Sequence, residues 1–432
     1  MGRKIDSSII QGDNFWHLKV ISVIIVLTIL AFLPTFTNGF QMEWDDQWMV
    51  VNSQTVGRPN WYLLLSIFTI PSHGQIAPIN QMMYTLLYRC FGLNPMAYHI
   101  ACLTLHMINI CLLFVGLRVI LHDCTRIPSI RTRWIVTITT ILFAIHPLQV
   151  ESVAWISASK IPLFTMFYFM GSIMLMNYLR KGGQWWYAGS MLMQLTAYLS
   201  KEQAVVFPLF AVLLYIWYDV SPKSKRFWLG IIPFFILSLA CTVHEVFYVA
   251  NYDQYMQSDT YAWWQRMVFC IYSVITYFFK WLIPINLNWM YLFPIGMKDS
   301  MPWWLILYPV LTGFLIYTAW DWIKKPMVAS ILAFFIIHLL LVIHIVVLPR
   351  SSVVADRYLY ISIISLNFMF AYFITGISGI VRHTKLLYGI MSVIIAILVG
   401  TSFSRTMDWK DSKTLRSVYA GENVSTIILN SK

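Results

Sequence analysis

Charged residues are scarce in this sequence: Asp, Glu, Lys and Arg make up 11% of 432 positions, against about 25% in an ordinary soluble domain. With 59% of the chain hydrophobic, that scarcity excludes a soluble globular protein. Cysteine supplies no framework either. The six residues Cys90, Cys102, Cys111, Cys124, Cys241 and Cys270 lie mostly inside apolar runs and form no CxxC pair, which argues against a disulfide scaffold or a zinc site. A repeat at fixed period, a low-complexity tract and a Gly/Ser linker are also missing. Apolar segments follow one another from residue 18 to residue 403 with no polar domain between them, so the expectation is one all-α polytopic membrane domain.

A bilayer core of ~30 Å asks for about 20 apolar residues per crossing helix. On that criterion eleven spans are expected, near 18–37, 96–121, 134–149, 160–179, 184–200, 202–218, 228–249, 303–323, 327–348, 357–379 and 384–403. The first lacks an A-x-A-like site and is longer than a signal-peptide core, so a signal anchor is expected. Segment 263–283 carries Trp263, Trp264, Arg266, Tyr272, Tyr277 and Lys280, the content of a helix lying in the interface, and it is read as non-crossing. Parity supports this. With Met1-Gly2-Arg3-Lys4 inside, the cytoplasmic connections are 118–133 (Arg118, Arg126, Arg131, Arg133), Arg180-Lys181, 223–226, Lys324-Lys325, and Arg382 with Lys385, as the positive-inside tendency asks. The net charge of +12 is then a topology signal of the inner face and not a sign of nucleic-acid binding. Loops 38–95 and 250–302 and a tail from residue 404 to residue 432 fall outside.

Ionisable residues recur on that outer face. Glu43, Asp45 and Asp46 lie within four residues just after the first span; adjacent carboxylates suit a general base or a metal pair, because each shifts the other's ionisation. A solvated acidic loop is the alternative. Further constellations are His146-Pro147…Glu151, Ser200-Lys201-Glu202, Arg350 before Asp356-Arg357-Tyr358-Leu359-Tyr360, and Arg405 before Trp409-Lys410-Asp411-Ser412. Each also has a structural explanation: a solvated turn for Lys201-Glu202, a helix-start pair for Asp356-Arg357, a helix-end residue for His146. His99 and His106 are read as packing or hydrogen-bonding histidines of a bundle. The gathering of five polar groups on one face is more informative than any one of them.

These residues carry a family resemblance. Trp44-Asp45-Asp46 with Asn52, then Asn94-Pro95…His99…His106-Met107-Ile108-Asn109, resembles the start of the transmembrane-and-tetratricopeptide-repeat O-mannosyltransferases, relatives of the protein O-mannosyltransferases with the GT-C fold. In the same order, His146-Pro147…Glu151-Ser152-Val153-Ala154-Trp155-Ile156-Ser157, Leu199-Ser200-Lys201-Glu202…Pro208…Asp219, Ala355-Asp356-Arg357-Tyr358-Leu359-Tyr360 and Arg405…Trp409-Lys410-Asp411-Ser412…Leu415 resemble later motifs of that group. The resemblance covers about residues 40–416. Two departures stand out. Ser159-Lys160-Ile161 replaces the family's Arg-Lys-Asp, so only Lys160 carries over there, and residues 417–432 show no helical repeat, so acceptor recognition by repeats is not expected in cis.

The resemblance implies a GT-C-type glycosyltransferase domain over residues 1–403 with a short outer tail, 404–432. It implies a polyprenyl-phosphate- or polyprenyl-pyrophosphate-linked sugar donor in the bilayer and, as acceptor, a secreted or membrane protein modified on Ser or Thr. The implied roles are Asp45 or Asp46 as catalytic base, Arg357, Lys201, Arg350 and Lys160 as donor-phosphate ligands, and Glu151, Glu202, His146, Asp356 and Tyr358 as substrate-positioning residues. Because a lipid phosphate leaves as a stable anion, one base and one cationic clamp suffice, without the acid and base pair of a glycosidase. No ligand spacing demands a metal, though a divalent cation stays open. The expected place is a bacterial inner membrane with the site facing the periplasm, or the endoplasmic reticulum lumen in a eukaryote. A lipid-sugar flippase or transporter, a GT-C enzyme modifying a lipid or glycan, and a non-catalytic scaffold are the competing readings. A flippase should carry polar groups through the bundle and often internal symmetry, and the sequence shows neither.

Overall fold

A computed structural model describes residues 7–71, 74–125, 127–252, 261–297, 299–345, 352–377 and 384–419. Arg350, together with Met1–Asp6, Arg126, Arg382 and the tail from residue 420, lies outside the described residues. The chain is a bundle of α-helices, and among the described residues its one sheet is a two-stranded antiparallel ribbon of Tyr291–Leu292 against Ser352–Val354.

Pro95–Cys124 is the central helix. Asn94 caps it by accepting from the Met96 amide at 3.2 Å, with Pro95 in the first turn, an arrangement that stops the preceding chain from joining the helix. The central helix packs on Ser129–Ile145 and on Lys160–Lys181, and Ile363–Ile374 also packs on Ser129–Ile145. Its buried stripe is polar in the middle. His106 Nε2 donates to the Ala144 carbonyl at 3.1 Å, so its Nδ1 accepts from the Tyr360 hydroxyl at 2.7 Å, and that hydroxyl accepts from Asn109 Nδ2 at 3.2 Å. The histidine expected to be structural thus ties two helices to the turn at Tyr360.

Lys160–Lys181 and Gln184–Tyr198 form a tight helical hairpin. Gly182 and Gly183, at φ +75° and +93°, make the reversal, a backbone region that side chains rarely enter. Within the hairpin Gly171 sits 3.3 Å, measured from where a Cβ would be, from the Ser190 carbonyl, and Ser190 Oγ donates to the Gly171 carbonyl at 2.8 Å, a small-residue contact of the kind that brings membrane helices close.

Among the described residues four helices are long and apolar enough to cross a membrane: Pro95–Cys124, Ile156–Lys181, Lys225–Tyr248 and Lys385–Asp408. A fifth arises if Ser129–Ile145 and Pro147–Ala154, bent by 52°, count as one span. The eleven expected crossings are therefore not supported. Four further apolar helices, Glu202–Trp217, Trp303–Thr318, Pro326–Leu339 and Ile363–Ile374, have only 10–17 residues, and at 1.5 Å per residue they fall short of the ~30 Å hydrocarbon core; Trp16–Ala31 is the apolar part of the longer helix Ser7–Ala31. The reason lies in backbone breaks that a hydropathy window does not sense. Pro147 bars His146 from helical geometry, leaving it at φ −70°, ψ 135°, inside the segment 134–149 expected to be one span. The helix Trp263–Leu282 is not among the membrane-capable ones; it buries Gln265, Phe269, Ser273 and Tyr277 along one stripe and fixes the ribbon through Tyr277, whose hydroxyl lies 3.2 Å from both the amide and the carbonyl of Ala355.

The bundle has two distinct ends. At one, Asp123 meets Arg180 at 3.7 Å and accepts from the Tyr218 hydroxyl at 3.0 Å, and Arg131 donates to the Tyr372 carbonyl at 2.8 Å. The segments carrying Asp45, Glu151, Lys160, Lys201 and Arg357 gather in a second place.

Candidate functional site

The acidic loop is built by distant sequence. The helix Ser7–Ala31 runs into the turn Leu33–Thr37, and from there the chain is held along the segment after Arg405. Asn38 Nδ2 donates to the Thr406 carbonyl at 3.0 Å, the Gly39 amide to the Lys410 carbonyl at 2.7 Å, and Gln41 Nε2 to the Trp409 carbonyl at 2.8 Å. Ser412 Oγ donates to Gln41 Oε1 at 3.3 Å and accepts from the Glu43 amide at 3.2 Å. Trp409, buried, stacks on Trp155 with 5.6 Å between ring centroids.

This framework separates the two aspartates. Asp46 is fully buried and accepts from the Gln41 amide at 2.8 Å, the Ser157 amide at 2.8 Å and the Ser157 hydroxyl. Burial pushes its carboxyl up to about 6, partly offset by those three donors, which favour the charged form. Asp45 is half-buried and makes no hydrogen bond or ion pair among the described residues. Of the two, Asp45 has a carboxylate left for a substrate.

Two cations, Lys160 and Arg357, lie within electrostatic reach of Asp45, and a third, Lys201, lies within reach of Lys160. Lys160, buried at the start of its helix, donates to the side-chain carbonyl of Gln75 and lies within electrostatic reach of Lys201, Asp45, Glu202 and Arg357. Lys201 pairs with Glu202 at 2.9 Å, the lysine buried and the glutamate open. Arg357 is gripped by the fully buried Glu151, whose carboxylate accepts from the Arg357 amide at 2.9 Å and from its guanidinium. The guanidinium also lies over the rings of Tyr358 at 4.9 Å and Trp155 at 5.4 Å, contacts that hold its plane. The charge of Asp45 reaches Arg357 as well. Thus Asp45, Lys160, Lys201, Glu202, Arg357, Glu151 and Tyr358 come together.

Two of the expected substrate-positioning residues have other partners. His146 accepts from the Leu148 amide on Nδ1 at 3.2 Å and therefore donates from Nε2 to the Trp281 carbonyl at 3.0 Å. Both ring nitrogens are spent on backbone, capping the turn after the Pro147 break. Asp356 is buried between Arg405, at 2.5 Å, and the Tyr291 hydroxyl, which donates at 2.9 Å. It joins the ribbon to the helix Thr384–Asp408. Gln41, Gln75, Ser157 and Ser412 are site residues that sequence reasoning missed. Ser157 and Ser412 lie inside motifs already singled out; Gln41 and Gln75 are neutral and carry no signal that could have found them. Among the described residues no group of three or more His, Cys, Asp or Glu side chains is placed to hold a metal ion.

The class so defined is a helical protein with membrane-capable helices and a half-buried carboxylate within electrostatic reach of two cations. No family model matches the chain. It is 30% identical over 122 residues, 26% of its length, to the human protein O-mannosyl-transferase TMTC1, and the matched stretch spans 13% of that protein. The two are distantly related.

Proposed function

We propose that this protein is a GT-C-type membrane glycosyltransferase that moves a sugar from a polyprenyl-phosphate-type lipid to an acceptor hydroxyl, on protein Ser or Thr, at the non-cytoplasmic face. The observation that carries this reading is the carboxylate of Asp45, without a hydrogen bond or ion pair among the described residues, within electrostatic reach of Lys160 and Arg357. The name of the human relative points the same way. In the proposed step Asp45 takes the proton of the acceptor hydroxyl as its oxygen attacks the anomeric carbon from the side opposite the phosphate. The bond from that carbon to the phosphate oxygen breaks, the electron pair leaves on the phosphate, and the anomeric centre inverts.

The cations hold the leaving anion, where preorganised charge in a poorly hydrated site contributes most. Lys160 takes the leading part because its hydrogen-bond partner, Gln75, is neutral, whereas Arg357 and Lys201 each carry a glutamate. Arg357, fixed by Glu151, presents its remaining N–H groups in a set plane, as suits a phosphate. Asp46 shapes the loop rather than reacting.

The test is incubation of purified protein with a polyprenyl-phosphate-linked sugar and a mixed pool of peptides, glycans and lipids, followed by mass spectrometry. Sugar on Ser or Thr of peptides is the expected result. Sugar on lipid or glycan alone would replace the acceptor, and movement of the intact donor across the bilayer without transfer would overturn the enzyme reading.

A further inference from the structure

Glu245 stands outside every motif named above, yet it is a carboxylate inside a membrane-capable helix, Lys225–Tyr248. Such a residue is costly unless it has partners and a role. Its partners are on two elements of the site. Tyr198, buried at the end of Gln184–Tyr198, places its hydroxyl 3.0 Å from Glu245 Oε2 and 2.5 Å from the Cys241 carbonyl. Two residues beyond Tyr198 the chain turns through Ser200 into Lys201 and Glu202, whose charges both act on Glu245. The backbone N–H of Ile76 also lies near enough to act on the Glu245 carboxylate. Ile76 follows Gln75, the acceptor of the Lys160 ammonium, in a turn that Gly74 starts at φ +72° and that the Ile79 amide fastens to the Leu199 carbonyl at 3.1 Å.

We propose that Glu245 is a positioning residue, holding the Gln75 turn and the Lys201 corner so that Lys160 and Lys201 point together at one bound phosphate group. The proposal rests on the reading of these lysines as phosphate ligands. A glutamine at 245 can do the same work: its amide oxygen accepts from Ile76, and its NH2 donates to the Tyr198 oxygen while the tyrosine proton goes to Cys241. An alanine can do neither.

The full chain is compared with Glu245→Ala, Glu245→Gln and Tyr198→Phe in lipid nanodiscs. The first readout is acetylation of Lys160 by an amine-reactive ester, followed by peptide mass spectrometry; it needs no activity. The second is binding of polyprenyl phosphate, without sugar, by native mass spectrometry. Glu245→Ala is expected to raise Lys160 acetylation and to weaken polyprenyl phosphate binding about tenfold, the scale of one hydrogen bond lost to a charged group. Glu245→Gln should restore both, and Tyr198→Phe, which keeps the carboxylate, should show a smaller loss in the same direction and decides the matter if the alanine variant does not fold. Lys160 acetylation and lipid phosphate binding within twofold of the parent in Glu245→Ala, or no recovery in Glu245→Gln, would overturn the proposal. If the parent binds no polyprenyl phosphate, the donor reading fails, and the acetylation pattern alone still decides whether Glu245 positions Lys160.

Discussion

Asp45 and Asp46 are neighbours of one residue type with opposite surroundings, so their amide variants should fail in different ways. Asp45→Asn removes a group that holds nothing in place, and it should lower kcat by about 10²–10⁴, the range of a lost general base, with an unchanged melting temperature. Near-normal turnover would remove Asp45 as the base. Asp46 acts on folding. Its carboxyl titrates near 6 in the folded protein and near 3.8 as a free side chain, so the folded state binds the extra proton. The contribution of Asp46 to stability is then full below pH ~4 and is lost as pH rises towards ~6, and Asp46→Asn should flatten that part of the stability profile. An unaltered slope between pH 4 and 6, followed by thermal melts in detergent, would mean that Asp46 is not the titrating group. At this level the sequence was informative wherever charge stood in apolar surroundings, as at Lys160, Glu151 and Arg357. It was silent about partners. Asp356 and His146 look as reactive on paper as Asp45, and only the Arg405 pair and the Trp281 carbonyl reveal that they are occupied.

Helix ends, more than helix interiors, decide where these residues stand. The Gly182-Gly183 reversal fixes how Lys160–Lys181 lies on Gln184–Tyr198, and through them how Lys160 and Lys201 approach. Gly182→Ala should cost about 1–3 kcal/mol, as befits a side chain forced into a glycine-only backbone region, whereas Gly313→Ala, with open space at the added methyl, should be neutral or stabilise by up to ~1 kcal/mol. Paired thermal melts check the contrast, and equal effects would show that the reversal carries no strain for alanine. The same ends bear on why eleven crossings are not supported. Hydropathy is a sum over a window, and it rises equally for one straight helix and for two short helices joined at Pro147. The helical class and the apolar segments were legible because they depend on composition; the breaks depend on one or two residues each.

Across the molecule, residues that no single motif contains make the site. Glu43 pairs with Arg416 at 2.6 Å, and the Trp155–Trp409 stack joins the Glu151 segment to the same C-terminal strip. Trp409→Ala should cost about 3–5 kcal/mol as a buried aromatic removed from a packed position, and in protein that remains folded it should depress kcat with little change in donor KM, since it loosens Asp45 and leaves the lysines alone. Steady-state kinetics with varied donor would separate the two, and a rise in donor KM alone would place Trp409 with the phosphate ligands instead. Asn38 and Thr406, joined by a hydrogen bond, are 368 positions apart in the chain. A ribosome delivers the first of them long before the second. Throughout almost the whole of synthesis the Asp45 loop therefore has no template on which to set, and its carboxylate can take its place only once the helix Thr384–Asp408 has been made.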